Sequence, residues 1–511
     1  MNMRKILSSS LLAGGLLALL FRLAGRLLTA RVVPEPGART YEALDSYVEE
    51  QMRRLHIPGA SLAVVEGDRI VHLRGFGRAR PGGETPGPET PFFIGSLTKS
   101  ITALAVMQLV EAGRVDLDAP VQRCLPWFRL ADPGAAAQVT VRHLLNQTSG
   151  LPLWPSEVAS ADFDDRTGAV ERQVRALATL KTGSPPGAKC EYSNFNYNIL
   201  GLVIEAASGE AYADYLQKHI FEPLGMQHTF TSKAEAKRCG LAVGHRHWFS
   251  MPIPAPDLRV PAGSLPSGQL SSCAQDMARY LIAHLNGGRC GQAQILSPAG
   301  IAELHRGAAD LEFMGVKTGR YGMGWFDTDL DGVRVYSHSG NVPDFSAFMA
   351  LVPECRRGVV LLFNADPYGL PVVTEEVGMG AAALLAGRPP APVRLDFIQW
   401  IMRLLPLIPL LQGVEALASL RALQRWRDDP QRRPRGGRLW GRHILLPLLP
   451  NLAMAGILAA LQSSGMIRFF HLFMPDIAWT ARISGGFGGI WAVVRTGLIL
   501  RAAGKYSEPI E

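Results

Sequence analysis

The sequence predicts a mixed α/β (α+β) fold: an antiparallel sheet flanked by helices, with an all-helical lobe, followed by C-terminal transmembrane helices. Three observations lead there. Strand-like alternation stands near both ends of residues 40–385. Helical stretches and proline-rich loops fill the interval, the pattern left by one sheet that the two ends of a domain close around a helical insertion. Beyond that domain, residues 444–461 run for 18 positions without a charge, enough to cross a bilayer as a helix.

At 511 residues and 47% hydrophobic content, the chain can hold a large core as well as membrane-embedded sequence. Segment 1–35 reads as a signal-anchor or signal peptide. Arg4-Lys5 precedes an apolar run over 6–21, and Leu28-Thr29-Ala30 is a poor cleavage site, which favours the anchor. Residues 60–77 alternate about Glu66-Gly67-Asp68 and predict a β-hairpin. After a Pro/Gly-rich loop comes Ser96, followed by a helix apolar on nearly every side (Leu97, Ile101, Leu104, Val106, Leu109), which belongs in the interior. From about 118 to 310 the chain reads as a mainly helical lobe, with a helix starting near Asn198. Three strand-like runs follow, 333–337, 345–352 and 358–363, broken by Gly340 and by residues 353–357.

The C-terminal region, 396–505, predicts about three spans. The segment 444–461 is uninterrupted, whereas 397–414 carries Arg403, Pro406 and Pro409, and 483–500 carries Arg495, so these two are spans or interfacial helices. Eight arginines between Arg421 and Arg442 account for much of the net charge of +8 and predict an Arg-rich cytoplasmic loop over 421–442. With Arg4-Lys5 also inside, the domain at 40–385 lies on the extracytoplasmic side of the cell membrane. No recognition motif or aromatic-interleaved basic face accompanies the arginines, which argues against a nucleic-acid partner. Membrane lipid and a small-molecule or peptide substrate are the expected partners. Without paired repeats, a transporter has little support.

All six cysteines fall within 40–385, as disulfides or buried thiols; their spacing reads no pairing, and none forms a CxxC. His245-Arg246-His247 lacks a third nearby ligand and reads as a polar loop. No metal and no cofactor are assigned.

Three short motifs carry chemistry. Ser96-Leu97-Thr98-Lys99 is an S-x-x-K tetrapeptide whose ends share one helix face, so that a desolvated Lys99 amine can take the Ser96 proton. A capping serine and a snorkelling lysine are the structural alternative. Tyr192-Ser193-Asn194 offers a phenol, active as a phenolate beside a cationic lysine, and a loop amide to orient a substrate carbonyl; its alternative is a turn with core tyrosines. His338-Ser339-Gly340 ends a strand, and there the Ser96 and Asn341 backbone N–H groups would form an oxyanion hole that Gly340 leaves open. Lys181-Thr182-Gly183 and Lys317-Thr318-Gly319 compete for that place, but neither has an adjoining alternating strand.

Together these motifs, with RHLLNQTSGLP (142–152), EPLGMQHT (222–229), SGQLSSCAQDMARYL (267–281) and YGMGW (321–325), resemble the β-lactamase-related serine hydrolases: class C β-lactamases, DD-peptidases and penicillin-binding esterases. The resemblance covers residues 40–385. It implies an acyl-Ser96 intermediate, Lys99 and Tyr192 sharing general-base and general-acid work, Asn194, His338, Gly340 and Asn341 about the substrate, and no metal. His338 stands where many relatives carry the lysine of K-T-G, which lowers the expectation of β-lactam hydrolysis and leaves peptide, D-amino-acid, ester or acyl substrates. A catalytic domain followed by C-terminal spans is also similar in architecture to membrane peptidases that trim acyl-D-amino-acid caps from natural-product precursors. The alternative to a hydrolase is a penicillin-binding sensor that acylates slowly and signals through its spans.

Overall fold

The computed structural model describes residues 41–313, 316–393 and 396–504; the expected N-terminal signal or anchor segment lies outside them. Two compact units emerge, one comprising 41–246 with 252–397, the other 247–251 with 398–504.

The first unit is built on one eight-stranded sheet. Its strands, in chain order, are β1 (Gly59–Glu66), β2 (Arg69–Gly77), β3 (Ala309–Phe313), β4 (Val316–Tyr321), β5 (Phe326–Leu330), β6 (Val333–Val342), β7 (Phe345–Val352) and β8 (Arg357–Phe363). The spatial order is β2-β1-β8-β7-β6-β5-β4-β3, with every neighbouring pair antiparallel. The β1–β8 pairing, with Ala60 opposite Phe363, joins the two ends of the domain. The expected hairpin over 60–77 is present, turning at Gly67, whose φ of 62° suits glycine.

β7 is buried at all eight positions because helices cover both faces of the sheet. Alternation sorts its side chains. Ala347, Met349 and Leu351 point into the main core, on the face where Leu281 of α5 (Ala274–Leu285) approaches Gly358. Phe348 points the other way, against Gly378 of α6 (Pro371–Leu385), where an added Cβ would meet its ring at 2.0 Å. Behind α6 stands α1 (Tyr41–Leu55), whose Tyr47 hydroxyl donates to the Val377 carbonyl at 3.2 Å.

The lobe between β2 and β3 is mainly helical, as its sequence predicts, and its centre is α2 (Thr98–Glu111) packed on α4 (Asn194–Ser208). Residues 98–107 of α2 are all buried, so this helix runs through the interior.

Four details correct the sequence reading. β6 is not broken at Gly340 but continues to Val342, placing His338 inside the strand. α4 starts at Asn194, four residues before the expected Asn198, so Asn194 sits on the first helical turn. Lys317-Thr318-Gly319 does lie on a strand, β4, which is two strands away from β6 in the sheet order. His245 and Arg246 are not on a polar loop: they lie buried in a short strand, His245–Trp248, and Arg246 pairs with Asp344 at 2.8 Å. All six cysteines are free thiols.

In the second unit, Phe397–Asp428, Leu439–Ser463 and Pro475–Ala502 are long and apolar enough to cross a membrane. Its principal helices are α7 (Leu407–Asp428), α8 (Leu446–Ser463) and α9 (Pro475–Gly504). Arg421, Arg425 and Arg427 ride on the end of α7, and Arg438 and Arg442 on the helical stretch that leads into α8, so the connection between carries Arg432, Arg433 and Arg435. Between these helices the Arg495 guanidinium pairs with Glu415 at 2.8 Å, and Trp491 Nε1 donates to the same carboxylate at 2.8 Å.

Candidate active site

Ser96 sits in a single 3₁₀ turn, Gly95–Leu97, that feeds into α2. The turn exists because Gly95 takes a φ of +55°, which side chains disfavour, and because a Cβ there would lie 2.5 Å from the Asn341 amide nitrogen. Gly340 answers from β6: a Cβ on it would fall 2.1 Å from the Ile94 carbonyl oxygen and 3.0 Å from the Ser96 nitrogen. The two glycines therefore let the serine turn press directly on β6, bringing the Ser96 and Asn341 backbones together as an oxyanion hole requires.

Lys99 follows one turn later and is fully buried. Its Nζ donates to Ser96 Oγ at 2.9 Å, Asn194 Oδ1 at 2.7 Å and the Ser267 carbonyl at 2.7 Å. Burial lowers its pKa to about 7, against the pull of the Glu157 carboxylate. The amine thus changes charge near neutrality while in contact with the serine hydroxyl.

Tyr192 lies with its ring centroid 4.8 Å from Lys99 Nζ, and its phenol neighbours the Ser96 side chain. Burial and the neighbouring Tyr321 hold its pKa well above the usual phenol value, with the Ser96 contact opposing them. The resting side chain is thus a neutral phenol, a proton donor, and not the phenolate that the sequence suggested. Asn194 Oδ1 accepts from Lys99, while its Nδ2 donates to Glu157 Oε1 at 3.0 Å and Ser160 Oγ at 3.3 Å. Its amide holds the lysine and a carboxylate in the resting site.

His338 is 1% exposed. Its Nδ1 donates to the Ser339 carbonyl at 2.6 Å and its Nε2 accepts from the Tyr321 hydroxyl at 3.3 Å, which assigns the neutral tautomer. Burial, with Lys99 nearby, pushes its pKa down to about 3. No cationic anchor for a substrate carboxylate arises from it. The Asn341 side chain is turned aside, Nδ2 donating to Asp366 Oδ1 at 2.7 Å, which leaves the backbone as its contribution to the site.

The fold thus gathers Ser96, Lys99, Tyr192, Asn194, His338, Gly340 and Asn341 in one place. It adds residues that sequence reasoning missed. Gln147 Oε1 accepts from the Ser193 amide at 2.9 Å and from Asn196 Nδ2, pinning the segment that carries Tyr192. Gln147 stands in the RHLLNQTSGLP motif, Ser267 opens SGQLSS and Tyr321 opens YGMGW, so these three had a signal. Glu157, on the short helix α3 (Leu153–Ala159), had none.

Among the described residues, His228, Cys273 and Asp276 place possible metal-ligand atoms within 4.8 Å of one another. Their geometry already has a structural use: Asp276 accepts from the His228 amide at 2.7 Å and Thr229 Oγ1 at 2.9 Å, and Cys273 caps α5.

The sequence profile of the beta-lactamase family matches residues 44–382. The chain belongs to the beta-lactamase family. Its members are serine hydrolases. Protein flp of Staphylococcus aureus (strain MW2) is 28% identical over 66% of this chain and 65% of its own length, so the chain spans about two thirds of the flp proteins that it matches. Penicillin-binding protein 4 of Amycolatopsis lactamdurans is 33% identical over 60% of this chain and 81% of its own. Among solved structures, the octameric penicillin-binding protein homologue from Pyrococcus abyssi superposes with a TM-score of 0.61 at 29% identity, covering 71% of this chain and 81% of that one. The D-amino acid amidase from Ochrobactrum anthropi SV3, complexed with L-phenylalanine, gives a TM-score of 0.58 at 25% identity, covering 68% of this beta-lactamase family member and 99% of the amidase.

Proposed function

We propose that this protein is a serine hydrolase that cleaves an amide or ester through an acyl-Ser96 intermediate. The observation that carries the proposal is the Ser96 hydroxyl held between a lysine poised near neutrality, 2.9 Å away, and the phenol of Tyr192. In its neutral form Lys99 accepts the Ser96 proton as Oγ attacks the substrate carbonyl carbon. The negative charge that develops on the carbonyl oxygen is met by the Ser96 and Asn341 backbone N–H groups. Tyr192 donates its proton to the departing nitrogen or oxygen and is reprotonated from Lys99, so the released product carries the proton that Ser96 gave up. Water then attacks the acyl-serine with the same groups running in reverse, and acid product leaves with Ser96 restored.

A peptide, D-amino-acid or acyl substrate fits this site better than a β-lactam, because His338 is neutral and offers no charge to a β-lactam carboxylate. The D-amino acid amidase likeness supports the same direction. The three apolar C-terminal helices would hold the domain at a membrane, and the arginine-rich stretch beyond α7 supports an extracytoplasmic location for it by the positive-inside rule. The decisive assay is a panel of D- and L-aminoacyl amides and esters, with nitrocefin beside it. Turnover that disappears in Ser96→Ala is expected. Full activity in that variant would end the proposal. A fluorophosphonate or penicillin adduct that stays on Ser96 for hours without product from any acyl donor would favour the sensor instead.

A further inference from the structure

From the carboxylate of Glu157 beside the Ser96–Lys99 pair, we infer that the substrate carries a free α-ammonium group: the protein takes aminoacyl amides or esters whose amine pairs with Glu157. This rests on the proposed hydrolase reading and narrows it.

The geometry is a short relay. Lys99 Nζ donates to one end of the Asn194 amide at 2.7 Å, and the other end donates to Glu157 Oε1 at 3.0 Å. The carboxylate therefore lies one amide beyond the lysine that touches the nucleophile. In an aminoacyl substrate the amine is two bonds from the carbonyl carbon under attack, so a carbonyl seated at Ser96 brings its ammonium to this neighbourhood. Glu157 is half-buried, and among the described residues no lysine, arginine or histidine makes an ion pair with it within 4.0 Å. A carboxylate withdrawn from water with no ion-pair contact is costly, burial pushing its pKa up against the pull of Lys99, and a substrate ammonium supplies the missing contact with a charge-assisted hydrogen bond. The remaining groups of the site agree: His338 is neutral, Tyr192 is a phenol, and Ser160 and Asn194 are uncharged, so among these described residues Lys99 is the cation and Glu157 the place for a positive substrate group.

The pairing also bears on the nucleophile. The Glu157 charge favours the protonated form of Lys99. A bound ammonium cancels that pull and repels the lysine proton, so Lys99 becomes the free base as substrate seats. Among the described residues facing Lys99, namely Ser96, Tyr192, Tyr197, Asn194, the Ser267 carbonyl, His338 and Glu157, Glu157 alone carries a negative charge.

The test uses full-length protein in detergent and matched pairs of D-alanyl and D-phenylalanyl p-nitroanilides, with the amine free or acetylated. The wild-type kcat/KM is expected to favour the free amine by at least tenfold. Glu157→Gln keeps an acceptor for Asn194 and is expected to erase that preference, lowering free-amine turnover by roughly 10²-fold while moving the acetylated arm less than threefold, with an unchanged melting temperature. In Glu157→Gln the acidic limb of the acetylated arm's pH profile should also move to lower pH, which a merely structural residue would not cause. Equal losses on both arms, or an acetylated substrate as good as the free amine in wild type, would overturn the assignment. So would labelling of Ser96 by fluorophosphonate with neither arm hydrolysed, an outcome that spares the nucleophile. Hydrolysis that survives Ser96→Ala would instead remove the underlying hydrolase reading.

Discussion

Replacing Lys99 with arginine, and titrating the wild type beside it, examines the central chemistry. An ordinary lysine with a pKa near 10.5 is neutral in only about 3 molecules in 10⁴ at pH 7. Burial brings Lys99 to about 7, where roughly half of the molecules hold a free amine, a gain of about 10³ in competent base. The wild-type log(kcat/KM) should therefore rise with unit slope from pH 5 and level off above about 7. His338, pushed to about 3, and Tyr192, held well above its ordinary value, do not titrate in that window. Glu157 and Lys99 interact, so the midpoint belongs to the pair, and the Glu157→Gln profile separates them: its limb moves down if the lysine is the base. Arginine stays charged throughout, so Lys99→Arg should lose about 10³-fold or more at pH 7 and gain nothing at pH 9. The measurement is initial rate on a chromogenic ester in a constant-ionic-strength buffer series. A limb centred near 9 or above, or Lys99→Arg within tenfold of wild type, would refute the reasoning.

Three further outcomes follow from the geometry. Gly340→Ala puts a methyl group 2.1 Å from the Ile94 carbonyl oxygen and must push the serine turn off β6; kcat should fall by about 10² or more while circular dichroism stays native, and unchanged kcat would dismiss the tight approach as unimportant. His284 and His305 are both buried, 2.9 Å apart ring nitrogen to ring nitrogen, and burial depresses both, His305 to about 3. Since the unfolded chain protonates near 6.5 and the folded one only far lower, their stabilising share is intact above about 6.5 and is lost as pH falls. Each histidine should cost about 2 kcal/mol between pH 6.5 and 5, and a His305→Phe variant whose urea midpoint falls as steeply as wild type would contradict this. In the second unit, Arg495→Leu strands Glu415; a loss of about 3–5 kcal/mol in detergent melts is expected, partly restored by adding Glu415→Gln, and a loss below about 1 kcal/mol would mean that the pair is solvated.

What could be read from the sequence depended on how periodic and how buried each element is. The β1–β2 hairpin, β7, β8 and the interior helix after Ser96 announce themselves because their apolar residues repeat at two or surround a helix. β3, β4 and β5 do not: ADLEF, VKTGRY and FDTDL mix charges through short strands far from the closed side of the sheet, where pairing rather than hydrophobic pattern holds them. Gly340 looked like a strand breaker because glycine weakens strands, yet here it is required inside one by the turn at Ile94. Ser96, Lys99, Tyr192 and His338 were findable because fixed spacing and order tie each to its neighbours. Glu157 was not, since one glutamate in PSEVASADFDD has no partner nearby in sequence and meets Asn194, 37 positions on, only when the chain folds back.

The register of β1 on β8 has a consequence in time. Ala60 finds Phe363 across some three hundred residues, so the closing step pays a large loop-closure entropy and belongs to the slow, non-local class of contacts. The serine turn lies after the first hairpin and the oxyanion strand just before the last, so they touch only once the lobe between them has folded and β6 has come back to the turn. A growing chain that has not yet made β6 carries Ser96 without the Asn341 backbone beside it. The nucleophile is armed by the chain's completion.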